Sequence, residues 1–196
     1  VHPLASLIGD VIVGPGCFIA PGASLRGDFG RIVVEGHSSI QDNVIVHAGA
    51  DRDTVIRRGA TIAHGCVIHG CEIGENSLVG MNAVVLDAAV IGPENLVAAL
   101  ALVKSDTITP PRSLVAGNPA KVVRTFAPDQ VTWRNDGHGE YQRLAREALT
   151  DFVETEPLIA VEPERRRLQS DAVAVRLSGP AAAARKQRLD QKKGQG

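Results

Sequence analysis

Aliphatic residues recur at every sixth position over most of the first hundred residues. The series starts with Leu7 and, after interruptions near Arg31 and in the segment 49–55 and one five-residue step from Ile68 to Ile73, continues to Val103. Its members are Leu7, Val13, Ile19, Leu25, Val34, Ile40, Val46, Ile56, Ile62, Ile68, Ile73, Val79, Val85, Ile91, Val97 and Val103. A period of six fits an α-helix poorly, because that helix repeats every ~3.6 residues. It is typical of a β-helix, in which each repeat supplies one short strand and a corner. The pattern therefore predicts an all-β solenoid, a parallel β-helix of about five coils with three hexads in each.

The repeat ends at Lys104, and the chain beyond it is predicted to contain two further parts. Prolines and glycines break regular structure up to Phe126, so residues 1–126 are expected to form the β-helix domain with its closing loop. Residues 127–157 are expected to form a helical segment that lies along the solenoid and covers one face or caps an end. A short helix is predicted from Pro128 to Asp136, and a longer amphipathic helix from Tyr141 to near Pro157. The apolar face of this longer helix comprises Tyr141, Leu144, Ala145, Ala148, Leu149, Phe152 and Val153.

Residues 158–196 are expected to form a basic and largely disordered tail. From Val161 onward, nine Lys and Arg residues outnumber four Asp and Glu residues, and few apolar residues are available for burial. Such a tail either stays solvated or touches nucleic acid or an acidic partner, and the solvated alternative is favoured.

Composition narrows the functional classes. Apolar residues make up 44% of the chain, aromatic residues 3%, and the net charge is -1. A core of small aliphatics suits a thin, regular structure, and the overall charge points to neither nucleic acid nor a membrane as partner. The longest apolar run, 96–103, is too short to span a bilayer, and no signal peptide is visible. Cys17, Cys66 and Cys71 form no C-x-x-C pair, so we expect buried free thiols and a cytoplasmic location.

Candidate chemistry concentrates in three histidines, His47, His64 and His69. The residue after each inward aliphatic points outward, and on one face these residues are Arg26, His47 and His69, each one coil apart. Neighbouring strands are about 4.8 Å apart, so two imidazoles on adjacent strands can bind one ion. His64 lies around the edge, on the side of the preceding face. A neighbouring chain is therefore expected to supply His64 to the His47–His69 pair.

Three histidines with an open fourth position are the arrangement of a catalytic zinc site. Bound Zn²⁺ lowers the pKa of water towards about 7 and supplies hydroxide at neutral pH, and Fe²⁺ or Co²⁺ also suits imidazole ligands. The alternative is that these are ordinary surface or interface histidines. Arg26 and Asp28 flank Gly27 at the corner below His47 and are expected to pair across the subunit contact. Gln41 is expected to point outward near the metal and to orient water or substrate.

Three stretches of the chain resemble the gamma-class carbonic anhydrase family of hexapeptide-repeat proteins. They are LRGDFGRIVVEGHSSIQDNVIVHAG, IAHGCVIHGCEIG and LVGMNAVVLDAAVIG. The resemblance covers roughly residues 1–168 and is strongest to the branch that contains the phenylacetate-degradation protein PaaY and the carnitine-operon protein CaiE. It implies a left-handed β-helix and a homotrimer with metal between subunits, so that His47 and His69 bind from one chain and His64 from the next.

The same resemblance assigns roles around the metal. It implies that Arg26, Asp28 and Gln41 order the catalytic site and that Asp42 is an interface partner for an arginine. The PaaY branch is implied to hydrolyse CoA thioesters of ring-hydroxylated phenylacetyl compounds, and some members hydrate CO₂. In the best-known carbonic anhydrase of this class, a glutamate follows Arg-Gly-Asp, whereas Phe29 stands here.

We therefore expect a zinc-dependent thioester hydrolase of phenylacetate catabolism. The alternative is CO₂ hydration at the same site, with CO₂ and bicarbonate as the small-molecule substrates. A hexapeptide-repeat acyltransferase, which uses a lone histidine base, and a non-enzymatic trimeric protein are less favoured.

Overall fold

The computed structural model describes residues 1–135 and 137–165, and short strands dominate the first 125 of them. In chain order the strands are β1 (Ser6–Val13), β2 (Phe18–Ile19), β3 (Ser24–Val34), β4 (Ser39–Ile40), β5 (Ile45–His47), β6 (Thr54–Ile56), β7 (Thr61–Ile62), β8 (Val67–His69), β9 (Glu72–Ile73), β10 (Leu78–Val79), β11 (Val84–Val85), β12 (Val90–Ile91), β13 (Leu96–Val97), β14 (Leu102–Val103), β15 (Ser113–Gly117) and β16 (Ala120–Thr125).

Strands one coil apart pair in parallel and build three faces. The first face stacks the N-terminal parts of β1 and β3 with β5, β8, β11 and β14, and the second stacks β2, β4, β7, β10, β13 and β15. The third contains the C-terminal parts of β1 and β3 with β6, β9 and β12. The predicted parallel β-solenoid is confirmed. Because the first two faces each carry six stacked strands, the solenoid makes about six turns, one more than expected.

The core is a set of aliphatic columns that run up the inside of the solenoid. On the first face, Leu25 pairs with Val46 and Val46 pairs with Ile68, and none of these three side chains has accessible surface. Burying each stabilises the fold by about 2 kcal/mol. The buried members of this core are all Ile, Leu, Val, Ala or Cys, which agrees with the low aromatic content of the chain. Cys66 and Cys71 lie in this core as free thiols, and burial raises the pKa of Cys66 to about 11, so this thiol stays protonated.

The chain leaves the solenoid through an antiparallel pair, β15 and β16, and then runs back along the second face. Phe126, Val131 and Trp133 pack with Leu96 into a second apolar cluster. The short helix predicted for 128–136 is only a 3₁₀ turn, Pro128–Gln130. The chain from Val131 to residue 135 has no regular secondary structure, and both Val131 and Trp133 are buried in the cluster.

The amphipathic helix is α1 (Glu140–Asp151), which ends before the predicted limit near Pro157. The Tyr141 ring contacts that of Phe18 of β2 in a tilted arrangement with centroids 5.4 Å apart, so the helix starts against the second face. Its apolar face is only partly covered, because Leu149 is 86% exposed. No helix within the described ranges is long and apolar enough to cross a membrane.

Residues 1–156 form one compact unit. Residues 157–165 are exposed throughout. Most of the predicted basic tail, residues 166–196, lies outside the described residues.

Candidate metal centre

The outward side chains of Arg26, His47 and His69 are stacked on adjacent strands of the first face, and this stack is here called the ladder. Arg26 of β3 lies opposite His47 of β5, and His47 lies opposite His69 of β8. The parallel register fixes these positions, because the inward aliphatic before each of them is locked in the core. The ladder is therefore a consequence of core packing, and its two imidazoles are held on adjacent strands.

The two imidazoles face each other through ring nitrogens. His47 Nδ1 is 3.0 Å from His69 Nε2, and the other nitrogen of each ring contacts a carboxylate, His47 Nε2 with Asp28 Oδ1 at 2.9 Å and His69 Nδ1 with Asp87 Oδ1 at 2.8 Å. A carboxylate only accepts hydrogen bonds when ionised, so these contacts place the N–H of each neutral ring on the carboxylate side. Two lone pairs then face each other, an arrangement that only a proton or a metal cation between them makes favourable.

The spacing of the facing nitrogens also fits a metal. Two nitrogens bound tetrahedrally to zinc at 2.0–2.1 Å are about 3.3 Å apart, close to the 3.0 Å between His47 and His69. Metal-binding histidines commonly donate their second ring N–H to a carboxylate, as both rings do here. The donor set therefore fits a divalent cation of the zinc type.

Asp28 connects the histidine pair to the arginine of the ladder. Arg26 donates to Asp28 Oδ2 at 2.6 Å while His47 bonds Oδ1, and the hydrogen bonds from Arg26 and then His47 hold the pKa of the Asp28 carboxyl below its usual value. Asp28 is therefore ionised and can keep the His47 N–H directed towards itself. The expected pairing of Arg26 with Asp28 across a subunit contact is not needed, because the pair forms within one chain.

Asp87 was not singled out from the sequence. It follows β11 and lies one coil above His69, 18 residues later. The coil length alone does not single it out, because β11 pairs with β8 at an offset of 17 residues, whereas Asp87 follows His69 by 18.

His64 lies at the edge between the second and first faces. Its Nδ1 is 2.9 Å from Asp42 Oδ2, one coil below, which directs its Nε2 away from the carboxylate. His64 is thus the third histidine with one nitrogen held by an aspartate. Asp42 was expected to pair with an arginine, but in the single chain its carboxylate binds His64.

Gln41 is buried, with 3% of its surface exposed, although the sequence predicted an outward side chain. It follows β4, and α1 packs on the neighbouring strand β2 of that face. Gln41 is thus covered in the single chain, and both its outward direction and its role at the site stay predictions.

Phe29 lies beside the candidate centre. Its ring centroid is 5.6 Å from that of His47, and 64% of its surface is exposed. The ring gives the centre one apolar wall.

A single chain supplies only part of a metal site. Among residues 1–135 and 137–165, no three His, Cys, Asp or Glu side chains of one chain converge in a way that could hold a metal ion. The structure brings His47 and His69 together with Arg26 and Asp28, and it leaves His64 on a separate edge with Asp42.

Comparison with known proteins identifies relatives among the hexapeptide-repeat proteins. Residues 53–87 match the family described as bacterial transferase hexapeptide (six repeats). The carnitine operon protein CaiE of Escherichia coli K12 is 47% identical over 169 residues, which cover 86% of each protein. A hexapeptide transferase family protein from Anaplasma phagocytophilum has 36% identity and a TM-score of 0.66, covering 74% of this chain and 89% of that one. A putative acetyltransferase from Bacillus cereus has 26% identity and a TM-score of 0.62, covering 74% and 84%.

Proposed function

Because this chain belongs to the CaiE-containing, gamma-class carbonic-anhydrase-like family of hexapeptide-repeat proteins, we propose that it is a metal-dependent hydrolase. Its ion is held by His47 and His69 of one chain and by His64 of the next chain in a homotrimer. The observation that carries the proposal is the pair of ring nitrogens of His47 and His69, 3.0 Å apart and each backed by a carboxylate. Zinc is the preferred ion, and Fe²⁺ and Co²⁺ suit the same ligands.

The subunit-shared arrangement follows from the positions of the three histidines. His64 Nε2 has no hydrogen-bond partner among the described residues, and its side chain is 48% exposed. In a trimer with threefold symmetry, the same two unlike faces meet at each of the three contacts. One such contact brings an exposed His64 to a His47–His69 pair, and the completed site keeps a fourth position open for water or substrate.

The residues of this chain then have defined roles. A bound zinc ion supplies Lewis acidity, which activates water and polarises a carbonyl oxygen. Asp28 orients His47, and Asp42 orients His64, because each carboxylate accepts a hydrogen bond from a ring N–H of its histidine. Arg26 keeps Asp28 ionised and in place, and its positive charge also suits an anionic substrate group.

We favour a CoA thioester as substrate over CO₂ because of Phe29. An exposed ring within 5.6 Å of the His47 ring offers contact area to an acyl chain or an aromatic acid, whereas CO₂ makes little use of it. Phenylacetyl-type thioesters are therefore the proposed class, in a cytoplasmic catabolic pathway. CO₂ hydration at the same centre is the second candidate.

Acyl transfer is the third candidate, because solved relatives carry transferase names. A hexapeptide-repeat acyltransferase needs a single histidine base. Here three histidines are each held by an aspartate, which favours a metal site over a single histidine base.

The test is metal analysis combined with activity on the purified full-length chain. We expect about one zinc ion per chain in a trimer, hydrolysis of phenylacetyl-CoA, and loss of both metal and hydrolysis in His64→Ala. His138→Ala is the control, since this exposed histidine lies outside the candidate centre. A metal-free wild-type protein that transfers acetyl groups from acetyl-CoA would overturn the proposal, and CO₂ hydration without thioester hydrolysis would select the second candidate.

A further inference from the structure

Asp87 contacts His69 on the side opposite the facing nitrogens. Its Oδ1 lies 2.8 Å from His69 Nδ1, and the side chains of His69 and Asp87 are 33% and 43% exposed. The contact is half-buried, so solvent weakens it less than a fully exposed ion pair. Asp87 therefore determines which nitrogen of His69 is left as a lone pair.

The backbone at Gly70 makes this contact available. Gly70 has a left-handed φ of 52°, and a Cβ at this position would come within 2.5 Å of Asp87 Oδ1. The Gly70 N–H donates to the His47 carbonyl at 3.1 Å, and the Gly70 carbonyl accepts from the Ala88 N–H at 2.8 Å. The corner below Asp87 is thus tied to the strands on both sides, and a glycine there leaves the carboxylate room to reach His69.

Arg52 is the nearby cation that faces Asp87. It bonds Asp51 through Nε and one terminal nitrogen, and the carboxylates of Asp51 first, and more weakly of Asp87 and Asp106, raise the pKa of Arg52. Its aliphatic stem lies against the Gly70 corner. A positive charge therefore lies near the Asp87 carboxylate without occupying its bond to His69.

We propose that Asp87 is a positioning residue for the metal centre, which fixes His69 in the tautomer that directs the Nε2 lone pair at the ion. The proposal rests on the proposed function, because it concerns the same centre. An anionic acceptor on Nδ1 also increases the basicity of Nε2, and loss of such a partner typically weakens metal binding by about 10–100-fold. Asp87 does not touch substrate in this role.

The experiment measures metal affinity rather than turnover. Metal-free wild type, Asp87→Asn and Asp87→Ala are titrated with Zn²⁺ against a chromophoric chelator, and the absorption spectrum of the Co²⁺-loaded forms reports ligand geometry. We expect affinity to fall about 10–100-fold in Asp87→Ala and the Co²⁺ bands to shift in both variants. The control is Asp106→Asn, one coil above at the same corner, where the Asp106 N–H binds the Asp87 carbonyl; it is expected to bind metal like wild type.

The outcomes separate the two proposals. If wild type binds zinc and both Asp87 variants bind it equally well with unchanged Co²⁺ spectra, the positioning role is refuted while the metal centre stands. If wild type binds no zinc, the metal centre and the role of Asp87 fail together. Melting of the metal-free variants identifies misfolding, and a folded Asp87→Ala with wild-type affinity and spectrum is sufficient to refute the role, because the Asn amide oxygen can still accept the Nδ1 hydrogen bond.

Discussion

Each histidine of the candidate centre has an aspartate about one coil away in the sequence. The separations are 19 residues for Asp28 and His47, 22 for Asp42 and His64, and 18 for His69 and Asp87. A solenoid places residues one coil apart side by side, so a carboxylate on the neighbouring turn can hold one imidazole nitrogen. Three separate pairs of this kind are better explained by a metal centre than by chance surface contacts.

A charged contact elsewhere holds the chain that runs back along the second face. Arg134 donates to Glu94, and this hydrogen bond holds the pKa of the Glu94 carboxyl below its usual value despite partial burial. A depressed folded-state pKa stabilises the protein above the unfolded-state pKa of about 4.3, and the stabilisation is lost as pH falls through the folded value.

We therefore expect Arg134→Gln to lower the melting temperature by about 1–3 °C at pH 7, a small effect because the pair is partly exposed. The difference from wild type should shrink below about pH 4, where Glu94 protonates in both proteins. Thermal melts from pH 3 to 7 check this, with Arg146→Gln on the exposed side of α1 as control. A difference that grows as pH falls would contradict the assignment.

At the scale of elements, one backbone carbonyl of the solenoid holds the segment after β16, including the start of α1. The carbonyl of His37 accepts hydrogen bonds from Asn135 Nδ2 at 2.7 Å and from Gln142 Nε2 at 2.8 Å. His37 occupies a left-handed corner with φ of 63°, and its Nδ1 is buried. A glutamine that is only 2% exposed thus fastens the first turn of α1, while residues 146–151 are exposed.

Removing this contact should loosen the helix without melting the solenoid. We expect Gln142→Ala to cost about 1 kcal/mol, the typical net value of one hydrogen bond, because Asn135 still binds the same carbonyl. Hydrogen exchange followed by mass spectrometry should become faster in 140–151 and stay unchanged in the core strands.

The control for this measurement is Arg146→Ala, an exposed position on the same helix. Faster exchange in the β-helix strands, or no change in α1, would show that Gln142 does not act as the anchor.

At the scale of the whole molecule, the proposed centre depends on two chains. Neither His47→Ala nor His64→Ala can complete a site with copies of itself. In a mixed trimer, an intact site forms wherever the His64→Ala chain supplies His47 and His69 and the His47→Ala chain supplies His64.

We therefore expect each variant alone to lack thioesterase activity, and trimers reassembled from an equal mixture to recover about a quarter of the wild-type activity. Both are compared with unmixed samples taken through the same dissociation and reassembly. Recovery in a mixture of His47→Ala with His69→Ala would contradict the arrangement, because those two ligands are assigned to the same chain.

The six-residue period by itself determined the solenoid, its aliphatic columns and the outward ladder of Arg26, His47 and His69. These features depend on local spacing, and the core accepts only one register for each strand. The end of α1 at Asp151 and the 3₁₀ turn after Ala127 were not predictable in this way, since both lie beyond the last hexad, which begins at Val103.

Only the tertiary structure identified Asp87 as the partner of His69, buried Gln41 and joined Arg26 to Asp28 within one chain. These contacts join residues that are distant in sequence or depend on side-chain geometry at corners, where the hexad pattern leaves residue types free. The sequence thus determined where each turn of the solenoid lies, and the stacking of those turns decided which polar side chains meet.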